Sequence, residues 1–342
     1  MAAASSTTIP LNQIICGDCV STMKTLPAES AQMIITDPPY NIGKDFGNDS
    51  DKQALGKYLE WCDEWIKESL RLLSKNGTMF IYGFSENLAL ILARVPLDVN
   101  RRWVIWHYTN KNNASKTFWQ RSHESILILW KDDKVFNCDD VREPYTDTFL
   151  KNAAGKVRKA SIGRFQKTET ETVYKAHENG ALPRDVIKVP ALAGGAGKKE
   201  RVDHPTQKPI ELCRKLILSC RQTADKGYVL IPFVGSGSEC VAAKMLGLPF
   251  VGIELNEEYV KLARNRVNET VTEVLTAPPA VIPNYKKMKM EELKELCLTR
   301  EIDTIKKKKE ELVSALITWD KSKNTIVVPK KRVFKVVSTP VI

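Results

Sequence analysis

The stretch "YVLIPFVGSGSECVAAKMLGLPFVGIELNEEYVKLARNRV" (residues 228–267) contains, in order, a strand pattern, a glycine-rich turn, a helix, a second strand and a second helix. Gly235, Ser236 and Gly237 form the turn, where glycines let a ligand approach the backbone and the helix N-terminus offers free N–H groups to an anion. Glu254 ends the second strand, 254 − 237 = 17 residues after the turn. An acid at about this distance typically holds ribose hydroxyls. The stretch therefore predicts a nucleotide-type cofactor with a ribose and an anionic group.

The turn lacks the G-x-G-x-x-G spacing that NAD-binding strands carry. S-adenosylmethionine has a ribose, an adenine and a carboxylate, but no phosphates. It is one small cofactor that fits this turn.

Short apolar runs recur along the chain and predict the strands of a sheet: "QIIC", "MIIT", "TMFIYG", "WVIWHY", "SILILW", "YVLIP" and "PFVGIEL". Helical patterns lie between several of them. The clearest predicts a helix over 54–74, closed by Asn76-Gly77. This alternation predicts an α/β protein with a doubly wound, mostly parallel sheet, which binds ligands outside the carboxyl ends of its strands.

The motif "DPPY" (37–40) follows the run "MIIT", at one such carboxyl end. Proline has no N–H and a fixed φ, so Pro38 and Pro39 alone could simply terminate a strand. The rest of the sequence decides whether the motif also has a function.

Composition and charge narrow the class of protein. The chain has 342 residues, of which 43% are hydrophobic, and a net charge of +11, which favours a polyanionic partner. The excess is concentrated in 101–131, with six basic and one acidic residue, and in 271–342, with 15 basic and nine acidic residues. No apolar run approaches the ~20 residues that span a bilayer, and the N-terminus has no secretory pattern. We therefore expect an intracellular protein, cytoplasmic or nuclear (or in a host cell if virus-encoded), with no membrane partner.

Cysteine spacing bears on metal binding. Cys16 and Cys19 form a CxxC pair, but a structural zinc site usually needs two such pairs and no second pair is present. We expect no metal and no disulfide framework.

Five motifs, taken in order, resemble the β-class DNA amino-methyltransferases, the adenine-N6 and cytosine-N4 family. They are "GDC" (17–19), "DPPY" (37–40), "RSHESILILW" (121–130), "HPTQKP" (204–209) and "FVGSG" (233–237). The resemblance covers roughly residues 10–268. It implies a Rossmann-like S-adenosylmethionine-dependent fold and site-specific methyl transfer to the N6 amine of an adenine flipped out of duplex DNA, as in restriction–modification systems.

The resemblance also implies roles for individual residues. Asp37 and the Pro38 carbonyl would accept the hydrogens of the target amine, Pro39 would hold that carbonyl rigid, and Tyr40 would stack on the base. The cofactor would be bound by Asp18, Cys19, Asp37, Lys208, Pro209, Phe233, Gly235, Ser236, Gly237, Ser238, Glu254 and Leu255. Ile231 departs from the family, which usually has an acid there; Asp37 is predicted to supply the lost contact to the cofactor's ammonium.

We predict a permuted catalytic domain over 10–270, in which 132–203 is a target-recognition insertion, followed by a linker at 271–285. Residues 286–320 resemble a SAP module, a two-helix DNA-binding motif, with a core of Met290, Leu293, Leu296, Leu312 and Leu316; a basic tail follows at 321–342. The predicted DNA contacts are Lys111, Lys116, Arg121, Lys151, Lys156, Arg158, Lys159, Arg164, Lys306 and Lys307.

Alternative functions remain open at this point. "DPPY" favours adenine, because the cytosine enzymes more often begin this motif with serine. Cytosine-N4 methylation, RNA adenine methylation and a catalytically silent DNA-binding protein are the alternatives. A homodimer is also left open.

Overall fold

The computed structural model describes residues 8–45, 51–110, 115–153, 156–160, 170–173, 176–272, 285, 288–305 and 307–323. They belong to two units. The first contains residues 1–143 and 182–275, and the second contains residues 144–181 and 276–342.

Eight strands of the first unit form one sheet. They are β1 (Gln13–Cys16), β2 (Ala31–Thr36), β3 (Leu73–Gly83), β4 (Asn100–His107), β5 (His123–Trp130), β8 (Val186–Lys188), β9 (Tyr228–Ile231) and β10 (Phe250–Glu254). Their order across the sheet is β1-β10-β9-β2-β3-β5-β4-β8. Only β5 runs antiparallel to its neighbours, β3 and β4. The sheet is therefore mostly parallel, as predicted.

Helices cover both faces of this sheet because successive strand residues point to opposite sides. The helices of the first unit are α1 (Cys19–Lys24), α2 (Leu55–Leu72), α3 (Ser85–Leu92), α5 (Ile210–Cys220), α6 (Ser238–Met245) and α7 (Glu257–Glu269). Ile34 of β2 packs in the same buried cluster as side chains of α1, α2 and α3. Its neighbours Met33 and Ile35 pack in the cluster that includes side chains of α5, α6 and α7. The sheet is thus doubly wound.

One local prediction, the turn after the helix at 54–74, was wrong. Helix α2 ends at Leu72, and Asn76-Gly77 lies inside β3 rather than in a turn after the helix. Ala31 pairs with Leu73 and Met33 with Thr78, so β3 advances 78 − 73 = 5 residues while β2 advances 33 − 31 = 2. Residues 74–77, which include Asn76-Gly77, therefore form a bulge of β3 that has no paired residues in β2. Val186–Lys188, within the predicted insertion, is an edge strand of the main sheet; its three residues are too few to give a strand pattern.

The topology brings the predicted motifs together at one end of the strands, the edge of the sheet where most of its parallel strands have their carboxyl ends. The parallel strands β1, β10, β9 and β2 all end there, and the next residues in the chain are Gly17, Leu255, Pro232 and Asp37 respectively. The antiparallel β5 begins at this edge, because Ser125 pairs with Gly83 at the end of β3. Glu124 of β5 therefore lies near Asp37.

The second unit contains α4 (Asp147–Asn152), the hairpin strands β6 (Val157–Ala160) and β7 (Thr170–Val173), and the helices α8 (Met290–Thr299) and α9 (Lys309–Lys323). Of the predicted core, Leu293, Leu312 and Leu316 are buried and Leu296 packs against them. Met290 was predicted wrongly: it is the first residue of α8 and is exposed. Helix α9 begins only at Lys309, the last residue of the lysine run.

Within the described part of the chain, no helix is long and apolar enough to span a bilayer.

Candidate active site

The glycine turn between β9 and α6 has the backbone that its sequence predicts. Gly235 and Gly237 have φ of +48° and +82°, in the left-handed region that favours glycine. A Cβ on Gly235 would lie 2.8 Å from the His204 ring, so glycine is also required for space. Helix α6 begins immediately after Gly237 and leaves its first backbone N–H groups at this turn.

Glu254 at the end of β10 is connected directly to this turn. Its carboxylate accepts hydrogen bonds from the backbone N–H of Gly235 and of Asn256, both at 2.8 Å. Burial raises the pKa of Glu254, and the two backbone hydrogen bonds oppose that shift. The acid and the turn therefore form a single rigid unit.

Asp18 and Cys19 lie at the neighbouring strand end. Asp18 is the N-cap of α1, and its carboxylate accepts from Ser21 N at 2.8 Å. Cys19 is buried, and burial, assisted by the charge of Asp18, raises the pKa of its thiol to about 12. The thiol is therefore uncharged at neutral pH.

A cavity at this edge, called the glycine-turn cavity below, brings most of the predicted cofactor residues together. Those that line it are Asp18, Cys19, Asp37, Lys208, Phe233, Gly235, Ser236, Glu254 and Leu255. Pro209, Gly237 and Ser238 do not line it. Pro209 is the N-cap of α5, Gly237 packs against Ala263, and the buried Ser238 hydroxyl lies 3.3 Å from an Arg266 nitrogen.

The DPPY motif lies in the wall of the same cavity and contains a buried ion pair. Lys208 Nζ lies 2.7 Å from Asp37 Oδ1 and 2.6 Å from Asp37 Oδ2, and 3.6 Å from Glu124 Oε2. The Tyr40 hydroxyl donates to Asp37 Oδ1 at 2.8 Å and lies 3.2 Å from Glu124 Oε2. Burial lowers the pKa of Lys208, but the carboxylates of Asp37 and Glu124 outweigh burial and raise it overall. Lys208 is therefore a cation at neutral pH.

Two backbone carbonyls of the motif, those of Pro39 and Tyr40, are hydrogen-bonded within the protein. Pro39 O accepts from the Tyr58 hydroxyl at 2.9 Å, and Tyr40 O accepts from the Asn87 side chain. Among the hydrogen bonds of the described residues, none uses the carbonyl of Pro38. Pro38 thus keeps a free acceptor beside the Asp37 carboxylate.

A second cavity adjoins the first, and we call it the aromatic cavity. It is lined in part by Tyr40, Phe84, Trp106, Glu124 and Lys208; Tyr40 and Lys208 line both cavities. Tyr40 is only 8% exposed, and its ring packs edge-on against that of Phe84 with the ring centres 5.2 Å apart. The ring therefore lies between the two cavities and presents no open face to solvent.

The sequence analysis missed several residues of the site. Glu239, in the first turn of α6, is a buried acid that lines the glycine-turn cavity. Burial and then the charge of Asp37 raise its pKa to about 7. Glu124 was not predicted as a site residue, although it lies in the quoted motif "RSHESILILW". His204 of "HPTQKP" also lines both cavities, and burial, with Lys208 and Arg266, lowers its pKa to about 4.

The predicted DNA contacts fall in both units. Lys116 and Arg121 are exposed in the first unit, whereas Lys151, Lys156 and Lys307 belong to the second. Arg158 and Lys159 lie on β6. Lys111, Arg164 and Lys306 lie outside the described residues. Between Lys116 and Arg121, the side chains of Phe118 and Trp119 are 80% and 89% exposed, and the Arg121 guanidinium stacks 4.2 Å from the Phe84 ring centre.

Comparison with known proteins decides the family. The model of the DNA methylase family, which covers N6 and N4 methyltransferases, matches residues 31–265. The chain belongs to the DNA methylase family. A type II methyltransferase of Haemophilus parainfluenzae, M.HpaI, is 31% identical over 263 residues, 75% of this chain and 74% of that one. The DNA adenine methyltransferase YhdJ of Escherichia coli (strain K12) is 31% identical over 256 residues, 75% of this chain and 82% of that one.

A solved structure agrees with the fold of this DNA methylase. The cytosine-N4-specific PvuII DNA methyltransferase covers 90% of this chain and 92% of its own, with a TM-score of 0.53 and 12% identity. Family membership confirms the predicted class: an S-adenosylmethionine-dependent DNA methyltransferase with a mostly parallel α/β sheet and DNA as its partner. The roles of the individual residues remain predictions.

Proposed function

We propose that this DNA methylase transfers a methyl group from S-adenosylmethionine to the N6 amine of an adenine flipped out of duplex DNA. The observation that carries the proposal is the pair of acceptors at the end of β2, the Asp37 carboxylate and the free Pro38 carbonyl, in the wall of the glycine-turn cavity next to the aromatic cavity. The first residue of the motif is Asp rather than Ser, which favours adenine. The relative named a DNA adenine methyltransferase supports the same choice.

The glycine-turn cavity fits the cofactor by the chemistry of its lining. Glu254 offers a carboxylate for ribose hydroxyls, and Phe233, Trp61 and Leu255 offer apolar surface for an adenine ring. The ring of Phe233 packs edge-on against that of Trp61, with their centres 5.5 Å apart, so the two rings form one continuous apolar wall. The backbone N–H groups at the start of α6 suit the cofactor's carboxylate. When bound, the cofactor supplies an electrophilic methyl group on a sulfonium.

The residues of the chain would then position and activate the amine. An exocyclic amine is a weak nucleophile because its lone pair is delocalised into the ring. Two acceptors that bind its two hydrogens, Asp37 and the Pro38 carbonyl, favour a pyramidal nitrogen whose lone pair points at the methyl group. Catalysis here depends on alignment and electrostatics.

The cluster of Asp37, Glu124 and Lys208 contains two anions and one cation. An amine that binds Asp37 competes with Lys208, but Lys208 retains Glu124 as a second partner at 3.6 Å. We infer that Lys208 moves toward Glu124 when the base binds. Glu124 would thereby keep the cation inside the site while Asp37 accepts the amine.

The aromatic cavity is the proposed pocket for the base. Tyr40, Phe84 and Trp106 offer aromatic faces or edges to a purine, and base–aromatic stacking contributes about 1–3 kcal/mol per base. Because the Tyr40 ring is 8% exposed, stacking on it requires a side-chain rotation, which would also release Asp37 from its hydroxyl.

The loop between β4 and β5 is the proposed contact to the duplex beside this pocket. Lys116 and Arg121 provide positive charge for phosphates, which fixes position but not sequence. Phe118 and Trp119 expose apolar surface between them, as expected of side chains that stack on DNA bases.

Several finer predictions stand as proposals beside this one. They are the domain boundaries, target recognition by 132–203, the SAP-like module at 286–320, phosphate contacts from Lys151, Lys156 and Lys307, duplex rather than single-stranded substrate, and a homodimer. An intracellular location is likewise proposed.

Product analysis tests the function. The full-length protein is incubated with S-adenosylmethionine and, separately, genomic duplex DNA or single-stranded RNA, and the digested nucleosides are identified by mass spectrometry. We expect N6-methyladenine in DNA and none with Asp37→Ala. N4-methylcytosine, a product only in RNA, or no product from a protein that binds both DNA and cofactor would contradict the proposal.

A further inference from the structure

Glu239 is a buried acid in the glycine-turn cavity that the proposed transfer step does not use. Its side chain lies in the first turn of α6, directly after Gly235, Ser236 and Gly237, and the residue is 3% exposed. It lines the same cavity as Asp37 and Glu254. A carboxylate at this depth has a high desolvation cost unless a partner offsets it.

The protein itself provides few partners for this carboxylate, one of which is the backbone N–H of Glu239 itself. The Cys213 thiol donates to Glu239 Oε1 at 3.4 Å, and that thiol in turn lies 3.9 Å from the Tyr82 hydroxyl. Within the described residues, no Lys or Arg nitrogen lies within 4.0 Å of Glu239. Arg266, which lies nearby, uses its guanidinium on the Ser236 carbonyl. A cationic ligand group would therefore complete the site.

The other acids of the cavity are already engaged. Asp37 is paired with Lys208 and accepts from the Tyr40 hydroxyl. Glu254 accepts from two backbone N–H groups, Asp18 caps α1, and Asp51 accepts from the backbone N–H groups of Ile42 and Lys44. Among these acids, Glu239 is the one next to the glycine turn whose carboxylate has neither a cation nor a backbone N–H of another residue as a partner.

We propose, on the basis of the function proposed above, that Glu239 binds the ammonium group of the cofactor's methionine moiety. The ammonium lies one carbon from the carboxylate that the start of α6 suits, so a carboxylate in the first turn of α6 is within reach of it. The contact makes the protein select ligands that carry the whole amino acid.

This assignment replaces the one predicted for Asp37. Ile231 ends β9 just before the turn, is fully buried and belongs to the apolar cluster that also contains Cys213. Its side chain has no hydrogen-bond acceptor for the ammonium, and the Asp37 carboxylate is already paired with Lys208. The family's usual acid would lie on β9, at the position of Ile231. In this chain the acid beside Cys213 is Glu239, which lies on α6.

The test measures ligand selectivity rather than turnover. Dissociation constants of full-length wild type and Glu239→Gln are measured by calorimetry, without DNA, for S-adenosylhomocysteine and for methylthioadenosine, which shares the nucleoside and thioether but lacks the amino acid. Loss of a charged hydrogen bond should weaken S-adenosylhomocysteine binding by about tenfold or more. Methylthioadenosine binding should change by less than about twofold, because that ligand has no ammonium.

Glu257→Gln is the matched control. Glu257 is an acid in the first turn of the neighbouring helix α7, but it is exposed and does not line the cavity. It should bind both ligands as the wild type does. Equal weakening of both ligands by Glu239→Gln would indicate a structural role, and unchanged selectivity would exclude the contact; either result overturns the inference. A wild type that binds neither ligand would contradict the proposed function itself.

Discussion

Lys208 Nζ lies within 2.7 Å of both carboxylate oxygens of Asp37, although the two residues are 171 positions apart in the chain. Lys208 is 3% exposed and the Asp37 side chain 15%. The pair joins the two motifs "DPPY" and "HPTQKP" into a single site. The incoming amine would therefore meet an Asp37 carboxylate whose charge is already balanced by the Lys208 ammonium.

Lys208→Met should destabilise the protein substantially. The substitution leaves Asp37 and Glu124 close together and buried without their cation, and breaking a buried pair in this way costs about 3–5 kcal/mol. Urea denaturation measures the loss. Lys226→Met removes an exposed ion pair to Asp225, in which the Lys226 side chain is 62% exposed, and should change the free energy of unfolding by less than about 1 kcal/mol. Equal losses in the free energy of unfolding for the two substitutions would show that the buried pair contributes no more to stability than the exposed one.

Glu254→Ala should weaken S-adenosylhomocysteine and methylthioadenosine alike, because both carry the ribose. The expected loss is about 1–3 kcal/mol, the cost of leaving polar groups unpaired, and calorimetry measures it. Glu258→Ala, on the exposed side of α7, is the control. If only the binding of S-adenosylhomocysteine is weakened, Glu254 contacts the amino acid end of the ligand and not the ribose.

Cofactor binding should depend on pH through Glu239. Burial and Asp37 raise its pKa to about 7, and the ammonium binds the ionised form, so affinity is full above this pKa and falls as the pH falls through it. Between pH 7 and pH 6 the dissociation constant of S-adenosylhomocysteine should rise about fivefold for the wild type. The ligand's own amine stays protonated in this range.

Glu239→Gln should remove this dependence. The other groups that face Glu239 are Asp37, Lys208, Cys213 and Arg266. His204, which shares the cavity, has a pKa of about 4 and stays neutral in this range. A slope that persists in Glu239→Gln would assign the titration to another group.

Local sequence was sufficient for the strands and the glycine turn. The apolar runs around Ile34 and Val229 give buried strands, and Gly235 and Gly237 occur where the backbone needs positive φ. Such features depend on neighbours in sequence. The bulge between β2 and β3, in which Asn76-Gly77 lies, depends on how a strand far along the chain pairs on either side of it and could not be predicted in this way.

The charges of the site were harder to predict for the same reason. The motif predicts a role for Lys208 at the cofactor, but the pairing of Lys208 with Asp37 and Glu124 is visible only when β2, β5 and the segment before α5 are brought together. Glu239 lies in a helix whose spacing indicates only a buried face. Its carboxylate could not be distinguished from a helix-start acid without knowledge of the cavity beside it.

Trp119→Ala should weaken DNA binding and base extrusion together, by about 1–3 kcal/mol if the ring stacks on a base. Fluorescence anisotropy measures binding of a labelled duplex. Leu97→Ala is the control, because Leu97 is 94% exposed but precedes β4 and so lies toward the opposite edge of the sheet. If both variants bind the duplex as the wild type does, Trp119 has no part in the DNA interface.

Base extrusion and methyl transfer can be measured separately in Asp37→Ala. Once sequencing that detects modified bases has identified a methylated site, a duplex with a fluorescent base analogue at the target position reports extrusion, and an unlabelled duplex reports single-turnover transfer. Tyr40→Phe, which keeps the ring and removes only the hydroxyl contacts to Asp37 and Glu124, is the control and should retain much of the activity. We expect Asp37→Ala to extrude the base and to lose transfer by several orders of magnitude. Transfer by Asp37→Ala at a rate near that of the wild type would contradict the account.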